Sequence, residues 1–407
     1  LCGTKANEDL LKRDNYLHKL CKMLSSNEEG AYKSIENLND KLNEVNREKR
    51  RLEEIISNYE IKEMNEQNNI NLGYIESLNK VNRDRRSKIQ EIYDNLDDNI
   101  WFSYLREIYI KGKMKGINWI DFESEISFII EQIDRTEQNL YLPFKKFSSG
   151  EHDEKVQLFL SQLSFKKYLE SNFRPDNYVV TFRDFLDKSY SDLRRLVRCI
   201  EIYFLNYVEK IPVKEISPDI QNVNPNAVLC FNYTHTFIRN YSFEKEIDIH
   251  YIHGETQESA YNNMVLGIDE YYSYNEKDKY TNYNIYKKFT QRILYETGFT
   301  YRKWINKMDE LTYTFRNYKS LEDSDNPFCN NIFIFGHSLD VTDADVLQDL
   351  IDRSGVKTTI FYYDKQQQTQ QIANLVKMLG QEKFIKMINS VPQQICFIQQ
   401  NPMAKKE

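Results

Sequence analysis

Three stretches of this sequence end in small polar side chains that can do chemistry. In "NIFIFGHSLDVTDADVL", residues 331–347, a mostly apolar run enters Gly336-His337-Ser338 before a helical pattern begins. In "FNYTHT", Asn232 and Thr234 follow the run "AVLCF", and in "IHYIHGE" a third run closes on His253-Gly254. A glycine at a strand end lets backbone approach a ligand closely. Ser338 can hydrogen-bond a sugar hydroxyl or a phosphate oxygen. Asn232 carries both a donor and an acceptor, suited to a ribose hydroxyl pair or to orienting a water. His253, at a strand end, is a candidate general base.

Each motif alone also has an ordinary structural explanation. Residues 336–345 read equally as a turn with a good cap, Thr342 being the N-cap with Asp345 three residues on. Asn232 can simply close its own turn, and a lone histidine near a strand end is more often structural. His250 and His253 lie three apart, on opposite faces of a strand, which argues against a two-histidine metal site. The grouping makes the case. Three polar strand ends in one sheet form a constellation, and open parallel sheets bind ligands beyond the carboxyl ends of their strands.

Those ends need strands to carry them. Apolar runs predict strands at 227–231, 247–254, 263–268, 331–336 and 358–364, with a helix over about 343–353 between the last two. Such a strand–helix–strand is a parallel crossover, so a partly parallel α/β sheet is expected. The first half reads as helical. Ile35, Leu38, Leu42, Val45, Leu52, Ile56 and Tyr59 form a heptad stripe in which Lys49 occupies one seam position. After the polar break "NEQNNINLG", Leu78, Val81, Ile89, Ile92 and Leu96 resume it, as in a long helical hairpin. A second amphipathic helix ends near Asp134, residues 134–155 read as a loop, and 155–210 as helical again. The expected division is a helical arm at 1–96, a helical portion at 97–226, an α/β portion at 227–390 and a tail at 391–407. The arm reads as a solvated hairpin, or as a surface for a second copy or a partner protein.

Composition narrows the classes. Apolar residues make up 40% of the 407 and charged residues 29%, enough for a core and a hydrated surface. No apolar run is long enough to span a membrane, and the first residues lack the apolar core of a signal peptide, so a cytoplasmic setting is expected. A net charge of −7 weighs against nucleic acid as a partner. The 6 cysteines lie far apart without a C-x-x-C pair, as expected of reduced thiols.

The pieces "NWIDFESEI", "FNYTHTFIRNY", "IHYIHGE", "MVLGIDE" and "IFIFGHSLDVTDADVL" together resemble the AbiH family of phage abortive-infection proteins, over roughly residues 95–390. Beyond it, the order Asn232, then His253-Gly254, then Gly336-x-Ser338-Leu339 is similar to that of sirtuin-like NAD-binding enzymes, and implies a Rossmann-like fold. The resemblance implies NAD as ligand or substrate, cleaved to nicotinamide and ADP-ribose, with no metal. It implies that Asn232 holds the nicotinamide ribose or positions a water, with His253 as the base. Thr234, Gly254, Gly336, His337, Ser338 and Asp343 would line the cofactor side, Asp343 by supporting the loop. Sirtuin-like chains open with a Gly-x-Gly phosphate loop, and this sequence has no Gly-x-Gly anywhere. It also lacks the four-cysteine zinc module of protein deacylases, which points to free NAD rather than an acyl-lysine.

Two other readings compete. One is a non-catalytic nucleotide-sensing or scaffolding module. The other is a metal-dependent nuclease using Asp340, Asp343 and Asp345, although the third lies within the helix and faces away from the first.

Overall fold

The computed structural model describes residues 4–6, 47, 80, 83–84, 86–114, 121–136, 143–148, 150–163, 180–241, 245–258, 262–268, 281–318 and 327–406. They fall into two compact units. One holds the described residues of Lys12–Tyr207, the other those of Val208–Glu407 together with the strand Thr4–Ala6. The sequence reading placed this division at 226/227. The heptad stripe at 30–60 and the break after it lie outside the described residues, Arg47 apart.

The first unit is helical because its apolar residues recur at helical spacing and its helix starts are capped. The helix Phe182–Asn206 begins with a reciprocal pair, in which Thr181 accepts from the Asp184 amide while Asp184 accepts from the Thr181 amide. Its buried face meets residues 86–96, which are helical with Ile89, Ile92 and Leu96 buried, and the helix Ile100–Met114. Asp192 ties these together. It accepts from the Ile100 amide at 3.0 Å and pairs with Lys188 at 3.1 Å and Arg195 at 3.0 Å. A buried carboxylate needs such partners, since an unpaired one costs several kcal/mol. Aromatic side chains fill the core of this unit. Trp101 lies 4.6 Å from Phe159, which meets Tyr104 and Phe185 edge-on. The expected loop at 134–155 contains the short helix Phe144–Ser148, and a further helix, Glu154–Ser161, starts within it.

The second unit is mixed α/β with small sheets. We number its strands β1 (Thr4–Ala6), β2 (Val213–Ile216), β3 (Ala227–Cys230), β4 (Asp248–Tyr251), β5 (Asn330–Ile334), β6 (Val356–Tyr362), β7 (Ile395–Gln399) and β8 (Ala404–Lys405). β3 and β4 pair in parallel, β5, β6 and β7 form a parallel sheet in that order, and β2 pairs antiparallel with β1 and β8. The β5–helix–β6 crossover matches expectation, its helix running Ala344–Ile351. One continuous Rossmann-like sheet is not what the described ladders form. Side chains bridge the pieces: Phe335, just past β5, packs against the same buried cluster of Ile216, Ile220, Phe237 and Tyr241 as Val228 of β3 and Ile249 of β4.

Three expectations are corrected. Residues 263–268 are extended but make only an isolated bridge, Ile268 to Lys287, because the chain there pairs with a loop rather than a strand. Thr342 is not the cap: Asp340 accepts from the Thr342 amide at 3.1 Å and starts a 3₁₀ turn, Val341–Asp343, ahead of the helix. The segment read as a tail at 391–407 contributes β7 and β8, and the helices Lys365–Leu379 and Gln381–Asn389 lead into it.

Truncating Phe159, which is fully buried, should destabilise the helical unit by about 3–5 kcal/mol. Urea denaturation of Phe159→Ala followed by near-ultraviolet circular dichroism would measure this, and a loss below ~1 kcal/mol would mean that the aromatic cluster repacks around the void.

Candidate active site at the strand ends

β3 and β4 run in register, Cys230 opposite Tyr251, and the Ile252 amide donates to the Cys230 carbonyl at 3.1 Å. Asn232 and His253 therefore each stand two residues past the paired ends. In the neighbouring sheet Ile334 pairs with Ile360, and Gly336 is again two residues beyond. The three polar motifs thus all follow the carboxyl ends of parallel strands, where ligands sit in open α/β sheets.

Two of the three meet at Asp343, those of His253 and His337. His253 Nε2 lies 2.9 Å from its Oδ1, Lys288 Nζ lies 3.4 Å from the same oxygen, and His337 Nε2 lies 3.6 Å from Oδ2. All four side chains are nearly buried. Burial opposes the charge on Asp343, but the His253 hydrogen bond, with His337 and Lys288 beside it, outweighs that and holds the carboxyl far below the usual carboxylate range. The ring of Phe231, the residue before Asn232, stands edge-on to both imidazoles, 4.4 Å from His337 and 5.7 Å from His253.

The two histidines differ in role. His337 Nδ1 accepts from the Leu339 amide at 2.9 Å, so in the neutral ring the proton sits on Nε2, toward Asp343. That ring is committed to holding its own loop. His253 presents Nε2 to Asp343 at 2.9 Å, with its side chain only 5% exposed. The chemistry available here is proton transfer at His253, oriented by a buried carboxylate.

The loop that brings His337 in is strained. Gly336 (φ 63°) and Leu339 (φ 59°) both adopt the left-handed region, which costs a non-glycine residue roughly 1–2 kcal/mol. Leu339 tolerates it because its side chain is fully buried among Ile334, Leu347 and Leu375. Two amides of the Lys365–Leu379 helix hold the loop from behind, Gln371 donating to the His337 carbonyl and Asn374 to that of Ser338, both at 3.0 Å.

A second cluster joins the other two loops. His235 Nδ1 lies 2.9 Å from Glu209, its Nε2 lies 2.9 Å from Glu255, and the Thr256 hydroxyl donates to Glu209. The hydrogen bonds to Glu209 and then Glu255 push the His235 pKa up to about 9, so the ring is an imidazolium. Burial would raise Glu209, but His235 and Thr256 hold it below the usual carboxylate range.

The structure therefore brings His253, His337 and Asp343 into one cluster. Gly336 and Ser338 lie exposed on its loop and Asn232 exposed past β3. Thr234 is buried, its hydroxyl 2.8 Å from that of Thr236, which turns it toward the loop interior rather than a ligand. Gly254 (φ 77°) is fixed by close approach, since an added Cβ would stand 2.1 Å from the Asn263 carbonyl oxygen. His250 Nε2 donates to the Thr297 carbonyl at 2.6 Å and its ring stacks on Tyr301, and burial keeps its pKa below the ordinary imidazole value. The acids offered for a nuclease are each engaged separately: Asp340 caps the 3₁₀ turn, Asp343 holds the histidines and Asp345 pairs with Arg292 at 2.6 Å. No three acidic, histidine or cysteine side chains among the described residues form a metal-ligand group. Sequence reasoning missed Lys288, Phe231, Gln371, Asn374 and the His235 clamp. The clamp and Phe231 had a signal, since Phe231 and His235 both lie inside "FNYTHT", a motif already singled out.

A mixed α/β unit with a buried histidine–carboxylate dyad at its strand ends defines the class. The family model described as bacteriophage abortive infection AbiH matches residues 87–364, more than half of the chain, and the chain belongs to the AbiH family. That membership points to a role in defence against phage. No curated protein and no solved structure matches the chain. No helix among the described residues is long and apolar enough to cross a membrane.

Two outcomes follow for the loops. Gly254→Ala should lower the melting temperature far more than Gly336→Ala, because the first meets a backbone oxygen while nothing lies within 4 Å of the second. Equal shifts in a calorimetric comparison would show that the 254–263 contact yields. For His235 the folded pKa stands above the unfolded value of about 6.5, so its stabilisation is complete below that and is lost as pH rises through about 9. Melting temperatures across that window should fall more steeply for the native protein than for His235→Gln, and parallel curves would refute the charged clamp.

Proposed function

We propose that this AbiH protein binds NAD in the cytoplasm and hydrolyses it to nicotinamide and ADP-ribose as its contribution to phage defence. The observation that carries the reading is the His253–Asp343 contact, Nε2 to Oδ1 at 2.9 Å, buried beyond parallel strand ends. Support also comes from the order of the motifs, Asn232, His253-Gly254 and Gly336-x-Ser338-Leu339, which is similar to that of sirtuin-like enzymes.

The residues suit one end of the dinucleotide better than the other. Gly336 and Ser338 are exposed and open, with room for a ribose to approach backbone and hydroxyl. The diphosphate has no Gly-x-Gly loop to receive it, and the neighbouring helix start carries Asp340, Asp343 and Asp345, which repel phosphate. Affinity in this reading rests on the nicotinamide-ribose half. A water held by Asn232 attacks the anomeric carbon of that ribose. The bond to the nicotinamide nitrogen breaks with its electron pair, neutralising the pyridinium, while Nδ1 of His253 accepts the proton of the water. Asp343 holds the ring and its tautomer, and Lys288 balances the charge of Asp343.

A second reading has its own support. With His253 only 5% exposed at the side chain and no glycine loop, the unit also suits a nucleotide-sensing module without turnover, acting through a second copy or a partner protein.

The test is to follow free nicotinamide by chromatography from purified protein and NAD, with and without EDTA. Release that survives EDTA and falls by about 10²–10⁴-fold in His253→Ala is the expected result for loss of a general base, with Asp343→Asn also impaired. Release untouched by His253→Ala, or dependent on a divalent metal, sinks the proposal. Thermal stabilisation by NAD without any release would favour the sensing module.

A further inference from the structure

The site at the strand ends does not use His235, yet this residue stands between two carboxylates. It joins three segments. Glu209 comes from the turn Val208–Lys210, His235 from the loop after β3, and Glu255 with Thr256 from the loop after β4. The His235 amide also donates to Glu209 at 3.2 Å. Around this ion pair the two loops are laced by backbone. The Thr256 amide donates to the Tyr233 carbonyl at 2.9 Å, the Tyr233 hydroxyl donates to the Val265 carbonyl at 2.7 Å, and the Val265 amide donates to the His253 carbonyl at 2.8 Å. Asn232 and His253 thus stand at the near ends of two loops whose far ends share one imidazolium.

We propose that the Glu209–His235–Glu255 clamp is a positioning element, which fixes the loop of Asn232 against the loop of His253 and so sets the spacing between the water-holding and proton-accepting groups. Its catalytic consequence rests on the function proposed above; its mechanical one does not. The side chains are partly covered, at 25% exposed for His235, 15% for Glu209 and 34% for Glu255, so their attraction is stronger than that of a surface pair. The Tyr251 ring closes the edge of the imidazole at 5.4 Å. The ring is charged at neutral pH, which allows both nitrogens to donate at once, and a neutral imidazole could satisfy only one of the two acids. No amide side chain reproduces two opposed donors.

The experiment compares the full chain with Glu255→Gln, a mild change at the most exposed member, and with His235→Gln. Hydrogen exchange is followed at the amides of His235, Thr256 and Val265, with those of β6 as reference, alongside NAD turnover. The clamp predicts exchange faster by about tenfold at the three loop amides and unchanged in β6, since local opening is separable from global unfolding. In an active parent it also predicts kcat lower by about tenfold with KM within about twofold, as misplacement of a reacting group would give. Loop exchange that stays at the parental rate overturns the proposal whether or not NAD is the substrate. Exchange that rises equally in β6 overturns it too, by showing general stability rather than positioning. Opened loops in an active parent with undiminished kcat would overturn the catalytic half alone. An inactive parent would count against NAD hydrolysis, while the exchange data still decide on the clamp.

Discussion

The second unit is organised around one buried negative charge. Asp343 sits in the 3₁₀ turn before the Ala344–Ile351 helix, and the groups that face it come from three other places: His253 after β4, His337 after β5 and Lys288 at the start of the Lys288–Leu294 helix. A carboxylate cannot be buried alone, and removing one partner of a buried pair costs about 3–5 kcal/mol. The charge therefore forces these four segments to converge. Arg292, one turn on from Lys288, repeats the pattern with Asp345, so one helix face meets the acidic turn at two points.

This matters because backbone does not join the sheets. The β3–β4 pair and the β5–β6–β7 sheet have no ladder between them among the described residues. Phe231 fills that gap, packing both with Ile334 and Leu339 on one side and with Ile252 and Val346 on the other. A non-polar ring and a shared carboxylate thus tie the strand ends of the two sheets together. The left-handed Leu339 is the local cost of turning the chain so that His337 points inward, and the core that receives its side chain offsets that cost.

What the sequence disclosed follows from range. β3 to β6 and the crossover helix were readable because apolar runs and helical spacing are local signals. His253, His337 and Asp343 were singled out as strand-end residues, but their union was not readable, since 253 and 343 are far apart in the chain and nothing local links them. Lys288 had no signal, because a lysine in "IYKKFTQRIL" reads as surface until burial is known. Gln371 and Asn374 were hidden among the glutamines of "KQQQTQQIANL", where composition masks that these two face inward. β7 escaped because the short run "ICFIQ" follows two helices with only a proline turn before it. The extended 263–268 stretch misled for the opposite reason. Its composition is that of a buried strand, and its partners are loops.

The three histidines of these loops show how neighbours, rather than residue type, assign chemistry. His235 has two carboxylates and becomes a fixed cation, useful for holding and useless for accepting a proton. His337 spends Nδ1 on the amide two residues away and so holds its own loop in shape. His253 faces Asp343 through Nε2, and it follows a strand end with Gly254 immediately after it. That glycine admits the backbone of Asn263 where any side chain would collide, and the Val265 amide holds the carbonyl of His253. In the function proposed above, proton transfer falls to His253, while His235 and His337 build the place where it stands.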